Sequence, residues 1–88
     1  MPKLGSMRNP DVISTDLGDE FLLLDPHTRA MFTLNSTGRV VWQHVEDGVD
    51  AIVTILTEQF AIGPEQAQTD VRALIAELVS AGLIVTTD

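Results

Sequence analysis

Two histidines and three aspartates are the side chains of this chain best suited to metal or acid–base chemistry. His27 and His44 lie far apart, and neither has a second His, Cys or Asp at metal-ligand spacing. Asp11, Asp16 and Asp19 would together offer oxygen ligands to a cation. However, a tight turn accounts for Asp19, and solvation accounts for the other two. We therefore predict no metal site and no cofactor.

Nucleophilic chemistry has no better candidates. The chain contains no cysteine, no serine in a nucleophile-elbow pattern and no glycine-rich phosphate loop. Trp42 offers a binding anchor, but a single tryptophan on an apolar helical face is usually a core residue. The sequence thus predicts a binding protein and not an enzyme.

Length and charge narrow the class further. The chain has 88 residues and a net charge of −8, so we expect one small acidic domain. From Val45 onward the chain has eight acidic residues and a single basic residue, Arg72. This acidic part of the protein should repel nucleic acid and anionic membranes. No apolar run reaches the length of a membrane span. With no cysteine present, a cytoplasmic location is the expectation.

Three short strands are predicted in the first part of the chain. They cover Val12–Leu17, Phe21–Leu24 and Ala30–Leu34, joined by turns at Gly18-Asp19 and Asp25-Pro26. The second strand is apolar at every position, whereas a strand buried on one face should alternate. Either both faces of this sheet are covered, or one face is kept for a partner.

Three helices should follow the strands. Asn35 or Ser36 caps the first, Val49–Phe60 forms the second, and Pro64 opens a third that Gly82 ends. Leu83-Ile84-Val85 should then pack back or add a last short strand. Met1–Pro10 is polar, and we predict that it is disordered. Residues 11–88 then form one α+β domain, a three-stranded antiparallel sheet followed by three helices.

The edge of the third strand is the best candidate for a binding site. Met31 to Leu34 carries no lysine, no proline and no inward charge, so an extended peptide can add there as a further strand. The alternatives are that the C-terminal tail or a dimer mate covers this edge. A DNA-binding winged helix is less favoured, because Gln66, Gln68 and Arg72 of the third helix stand among acidic residues. A small dimerising regulatory domain stays open.

Several segments of the chain resemble the PqqD family, the peptide-recognition elements for ribosomally made and post-translationally modified peptides. The resemblance covers about Val12 to Val85. It rests on Leu23-Leu24-Asp25, on Met31-Phe32-Thr33-Leu34-Asn35 before Thr37-Gly38, on Ile52 and Phe60, and on Pro64-Glu65-Gln66-Ala67, Asp70-Val71 and Leu78-Val79-Ser80-Ala81-Gly82-Leu83-Ile84. Two positions depart from the family, which commonly has glycine at Arg29 and an aromatic residue at Met31.

The resemblance implies a winged-helix-like domain that binds the leader of a precursor peptide. The leader would add as a fourth strand beside the third strand, and its side chains would enter a groove against the third helix. The residues carried over to this groove are Met31, Phe32, Thr33, Leu34, Asp70, Val71, Leu74, Ile75 and Leu78.

The resemblance also implies a second partner, a maturation enzyme to which the leader is delivered. The chain looks more like the small carriers of lasso-peptide systems than like the protein of the quinone-cofactor pathway. The enzyme would then be a leader peptidase; elsewhere in the family it is often a radical enzyme that uses S-adenosylmethionine. The resemblance identifies neither the precursor nor the enzyme, and a homodimer stays open.

Overall fold

Apart from an additional strand at the N-terminus, the strands and helices follow the order that the sequence predicts. The computed structural model describes residues 5–87. Its strands are β1 (Gly5–Arg8), β2 (Ile13–Asp16), β3 (Phe21–Leu24), β4 (Met31–Leu34) and β5 (Ile84–Thr87), and its helices are α1 (Ser36–His44), α2 (Val49–Gln59) and α3 (Pro64–Ser80). A 3₁₀ turn, Val45–Asp47, joins α1 to α2. The antiparallel sheet β2-β3-β4 followed by three helices confirms the predicted α+β fold class.

Both hairpin turns of the sheet form where they are predicted. Between β2 and β3 the Leu17 N–H donates to the Glu20 carbonyl at 2.8 Å, and Gly18 has φ +91°. Between β3 and β4 the Asp25 side chain accepts from the His27 N–H at 2.9 Å. Arg29 closes that turn with φ +64°, a conformation that favours glycine. This explains physically why a glycine suits the Arg29 position.

The cap of α1 also brings β4 close to the helix. Asn35 lies just before α1, and its Oδ1 accepts from the Gly38 N–H at 2.9 Å. A Cβ on Gly38 would lie only 3.1 Å from the Leu34 Cβ, so only glycine fits without displacing Leu34. The first turn of α1 therefore packs directly against the end of β4.

The N-terminal segment differs from the prediction. Gly5–Arg8, expected to be disordered, forms β1 and pairs antiparallel with β5, so that Met7 faces Val85. Arg8 adds an ion pair to Glu46 at 3.2 Å. The polar sequence of this segment gives no strand periodicity, because its pairing partner lies almost at the other end of the chain. The first four residues of the predicted disordered segment lie outside the described residues.

The core lies between the inner face of the sheet and the three helices. Leu23 of β3, Ile52 of α2 and Leu78 of α3 are fully buried. Trp42 is 5 % exposed and belongs to this core, as its place on an apolar helical face indicates. β5 follows α3 and brings buried Ile84 into the same cluster.

One ionic contact ties α1 to the β2–β3 hairpin. The Arg39 guanidinium donates to Asp16 Oδ1 at 2.6 Å and to the Gly18 carbonyl at 3.2 Å, and it lies over the Phe21 ring. The Gly18 N–H, which donates to the same carboxylate at 2.9 Å, and the Arg39 charge hold the pKa of Asp16 below its usual value. The folded state therefore favours the ionised carboxylate.

This contact predicts a pH-dependent stability. A carboxyl with a lowered pKa stabilises the fold above its unfolded pKa of 3.8, and this contribution is lost as the pH falls through the folded pKa. Asp16→Asn should therefore melt a few degrees below the native protein at pH 7, and the difference should shrink toward pH 3. Thermal melting at both pH values checks this. Asp19→Asn, in the same turn, is the control, and an equal effect there would contradict the role of Asp16.

Candidate functional site

The outer edge of β4 has no strand paired with it among residues 5–87. The sheet order is β2-β3-β4, so β4 bonds to β3 on one side only. β5, the C-terminal strand, pairs with β1 in a separate two-stranded sheet. Over the described residues, the alternative that the C-terminal tail covers the β4 edge is therefore wrong.

The register of the hairpin fixes which backbone groups of β4 face this open edge. In antiparallel pairs, residues that exchange hydrogen bonds alternate with residues that do not. Asp25 donates its N–H to the Ala30 carbonyl at 2.9 Å, which makes the next pair, Leu24 and Met31, non-bonded. The alternation continues so that Phe32 bonds to β3 and Thr33 does not. The N–H and C=O groups of Met31 and Thr33 therefore point outward.

The neighbouring hairpin supports this assignment independently. The bond from Leu17 to Glu20 sets the phase of the β2–β3 ladder, so that Leu22 and Leu24 bond to β2. The alternate residues Phe21 and Leu23 are then free to bond to β4. Two donors and two acceptors at Met31 and Thr33 thus form a preformed template for an added strand.

A cavity of about 510 Å³ lies beside this edge, between β4 and α3. Its volume is in the range of ligand-binding pockets. Its walls are mostly apolar, with polar groups near the mouth. The lining residues are Glu20, Phe32, Thr33, Leu34, Asn35, Thr37, Gly38, Val41, Leu56, Ile62, Asp70, Val71 and Leu74.

A second, more open cavity continues the groove toward the end of α3. It is lined by Phe32 together with Ala76, Glu77, Ser80 and Ala81. Phe32 borders both cavities, so the half-buried ring divides one groove into two parts. We call these two cavities and the β4 edge between them the β4–α3 groove.

Six of the nine residues predicted for the site line the first cavity. Leu34 and Val71 are buried there, whereas Asp70 and Thr33 are exposed. Leu74 is half-buried on the wall. The six are Phe32, Thr33, Leu34, Asp70, Val71 and Leu74.

The other three predicted residues, Met31, Ile75 and Leu78, line neither cavity. The Met31 side chain is 63 % exposed and lies on the outer face of the sheet, because strand side chains alternate between faces. Only its backbone belongs to the edge. Ile75 packs against the core, and Leu78 is fully buried within it.

The cavities also include residues that the sequence did not single out. Glu77 and Ala81 stand seven and eleven residues after Asp70, which puts them on the same face of α3. That helical spacing is the signal that would have found them. Glu20 and Ile62 come from loops, whose approach to the groove has no periodic signal in the sequence.

The groove is acidic at its rim. Asp70, Glu77 and Glu20 line it, and no Lys, Arg or His is among the residues that line either cavity. Gln66 donates to Asp70 Oδ1 at 2.8 Å and holds that carboxylate in place. Phosphate backbones would be repelled here, which weighs against α3 as a DNA-recognition helix.

The two histidines each lie beside an aspartate. His27 lies 3.4 Å from Asp11, and His44 lies 3.0 Å from Asp47. Residues 5–87 contain no group of three or more His, Cys, Asp or Glu side chains placed to hold a metal ion. Within the same residues, no helix is both long enough and apolar enough to span a membrane.

The outer face of the sheet is a second exposed apolar surface. Ile13 faces Leu24, and Leu24 faces Met31, so these three side chains cross the sheet in one row. Ile13 and Met31 are 53 % and 63 % exposed. Leu17 lies on the same face and is also exposed. This outer sheet face borders the open β4 edge.

Comparison with known proteins agrees with this fold. A search of curated protein sequences gave no match. The solved structure of TbiB1 in complex with the TbiA(beta) leader peptide is 22 % identical and has a TM-score of 0.80, over 89 % of this chain and 93 % of that one. A lasso peptide synthetase B1, complexed with the leader peptide, is 20 % identical and has a TM-score of 0.82, over 92 % and 98 % of the two chains.

At these identities the two structures establish a common fold. The sequence itself matches a family model, described as Coenzyme PQQ synthesis protein D (PqqD), over residues 20–84. That match runs from the end of the β2–β3 turn to the start of β5, and it includes all of β4 and α3. Since it spans well over half of the sequence, the chain belongs to the PqqD family.

Proposed function

We propose that this protein binds the leader region of a ribosomally synthesised precursor peptide and delivers it to a maturation enzyme. The open β4 edge beside the groove is the observation that carries the proposal. The leader pairs with the N–H and C=O groups of Met31 and Thr33 and becomes a fourth strand. Its alternate side chains enter the β4–α3 groove. The protein binds without performing chemistry itself and without a metal or cofactor.

Two further observations support a leader peptide as the ligand. The chain belongs to the PqqD family, and both solved structures of similar fold are described as complexes with a leader peptide. We infer that the system makes a lasso peptide, since one of these structures is a lasso peptide synthetase B1. The enzyme served is then a leader peptidase, and both act in the cytoplasm.

Delivery requires a second surface, and we assign the outer sheet face to the maturation enzyme. This face is apolar, exposed and continuous with the β4 edge. The side chains of a bound leader that do not enter the groove lie on the same face, beside Met31 and Thr33. An enzyme docked there contacts the protein and its bound leader together, so it favours the loaded form over the empty one.

Ile13→Thr should therefore weaken association with the enzyme and leave leader affinity unchanged. The substitution keeps a β-branched residue in the strand and removes apolar area from an exposed position. Co-purification of the enzyme encoded near this gene with the leader-loaded protein measures the effect. If the double variant Ile13→Thr/Met31→Thr still co-purifies with the enzyme at the native level, the enzyme binds to another surface of the protein. If sedimentation of the native protein shows a dimer that Ile13→Thr dissolves, the face pairs two copies of this chain instead.

Asp70→Arg tests the α3 side of the groove. The Asp70 carboxylate is exposed and lines the first cavity, so a longer side chain of opposite charge should narrow the groove and weaken leader binding about tenfold. Calorimetry with a synthetic leader of the precursor encoded beside this gene measures this. Glu58→Arg makes the same change of charge on the exposed part of α2 and should bind normally. Equal affinities in the two variants would show that α3 is not a wall of the site.

A further inference from the structure

The charges along the groove predict the kind of leader that it accepts. Asp70, Leu74 and Glu77 recur at helical spacing on α3 and are among the residues that line the two cavities, and Ala81 continues the spacing just after the helix. Two carboxylates thus stand on this face of α3, with an apolar residue between them. Arg72 is the basic residue of α3. It is two residues from Asp70 in sequence, so it lies about 200° from Asp70 around the helix axis.

The first cavity has a second carboxylate on its lining. Glu20, from the β2–β3 turn, lines it together with Asp70 and is exposed. Gln66 occupies only Oδ1 of Asp70, which leaves Oδ2 available to a ligand. Since no cationic side chain lines either cavity, the neutralising charge has to come from the bound peptide.

The spacing of the carboxylates translates into a spacing on the ligand. Asp70 and Glu77 are seven residues apart on a helix, a rise of about 10 Å. An extended peptide rises about 3.3 Å per residue, so this separation corresponds to about three peptide residues. Alternate residues of the added strand face the groove, so an anchor in the first cavity with a cation on each side occupies positions i, i+2 and i+4, and the long, flexible Lys and Arg side chains take up the small difference in length.

We propose that the groove selects basic leader segments, in which Lys or Arg residues stand two positions before and two positions after an apolar anchor. One cation meets Glu20 and Asp70, the anchor fills the first cavity beside Leu74, and the second cation meets Glu77. This inference rests on the proposed function and names the chemical class of its ligand. Acidic peptides are rejected, because their carboxylates would face this rim without compensation.

The effect should appear mainly as selectivity and salt dependence. The three carboxylates are exposed at the rim, where charge pairs change association rates more than they change affinity. Neutralising the groove should therefore reduce affinity for a basic peptide about threefold to tenfold at low salt, and little at high salt.

A phage-displayed library of random 16-residue peptides provides the test. The native protein, Asp70→Asn/Glu77→Gln and a control, Glu58→Gln/Glu65→Gln, are each immobilised and selected against the same library. The control makes the same change of charge at exposed residues that line neither cavity. Thr33→Pro is added, because capture at the β4 edge should fail with this variant.

The inference predicts that Lys and Arg are enriched with the native protein and with the control, and that the enrichment is lost with Asp70→Asn/Glu77→Gln. Two results would overturn the inference and leave the proposed function standing. In the first, the selected peptides need the β4 edge but are not enriched in Lys and Arg. In the second, Lys and Arg are equally enriched with the native protein, the groove variant and the control. Selected peptides that bind Thr33→Pro as well as the native protein would overturn the proposed function, and the inference with it.

Discussion

Thr33→Pro should leave the free protein folded and reduce leader affinity about fivefold or more. The Thr33 N–H faces the open edge, so proline removes a donor that forms no bond within the sheet. The lost hydrogen bond to the leader is worth about 1 kcal/mol, and the ring adds a steric penalty at the strand interface. Met31→Pro should behave in the same way, because the two residues share an orientation. Thermal melting and calorimetric titration with the leader peptide measure both effects.

Ala30→Pro is the contrasting variant, and it should lower the stability of the fold. The Ala30 N–H points inward and donates to Thr28 Oγ1 at 3.2 Å, a bond that proline cannot form. A proline at this position also disfavours the left-handed conformation of Arg29, which precedes it. If Thr33→Pro is folded and still binds the leader at full affinity, the leader does not pair with this edge, and strand addition has to be abandoned.

This contrast depends on a fact that the sequence alone does not contain. Alternation of apolar residues predicts β4 and the face that each of its side chains takes. The in-plane direction of each N–H depends instead on the phase of the ladder, which the turn sets. Here Arg29 donates to the Asp25 carbonyl at 2.7 Å and Asp25 donates to Ala30 at 2.9 Å, and this pair of turn bonds fixes the phase.

The predicted elements that proved right are those with local signals. The Asn35 cap, the proline at the start of α3 and the two hairpin turns follow from residues a few positions apart. β1 was missed because its stability comes from β5, about 80 residues away, and not from its own sequence. The groove was predicted in outline from the family resemblance, which aligns positions and does not state where side chains point.

Helix α3 shows why the predicted site residues do not all line the cavities. Its core stripe contains Ala67, Val71 and Leu78, each fully buried. Its groove stripe contains Asp70, Leu74 and Glu77 and is rotated around the axis by less than one residue step from the core stripe. The two stripes meet near Leu74, which packs against the buried core and also lines the first cavity. Positional matching cannot separate stripes this close together.

The same substitution at two positions of α3 should therefore have opposite consequences. Leu78→Ala removes a fully buried side chain and should cost about 2–5 kcal/mol of folding free energy. A domain of this size has only about 4–13 kcal/mol in total, so a large drop in melting temperature is expected. Leu74→Ala, at a half-buried position on the cavity wall, should cost less stability and reduce leader affinity about tenfold, through the apolar contact it removes from the bound peptide.

Melting curves and leader titrations of the two variants separate these roles, provided that binding is measured at a temperature where each variant is folded. Under that condition Leu78→Ala should bind the leader with nearly native affinity, because its side chain lines neither cavity. The reverse result is a folded Leu78→Ala that binds the leader poorly and a Leu74→Ala that binds it normally. It would show that the peptide does not bind along the α3 face that carries Asp70 and Glu77. The leader would then have to displace part of the core to bind, and the preformed groove described here would not be its site.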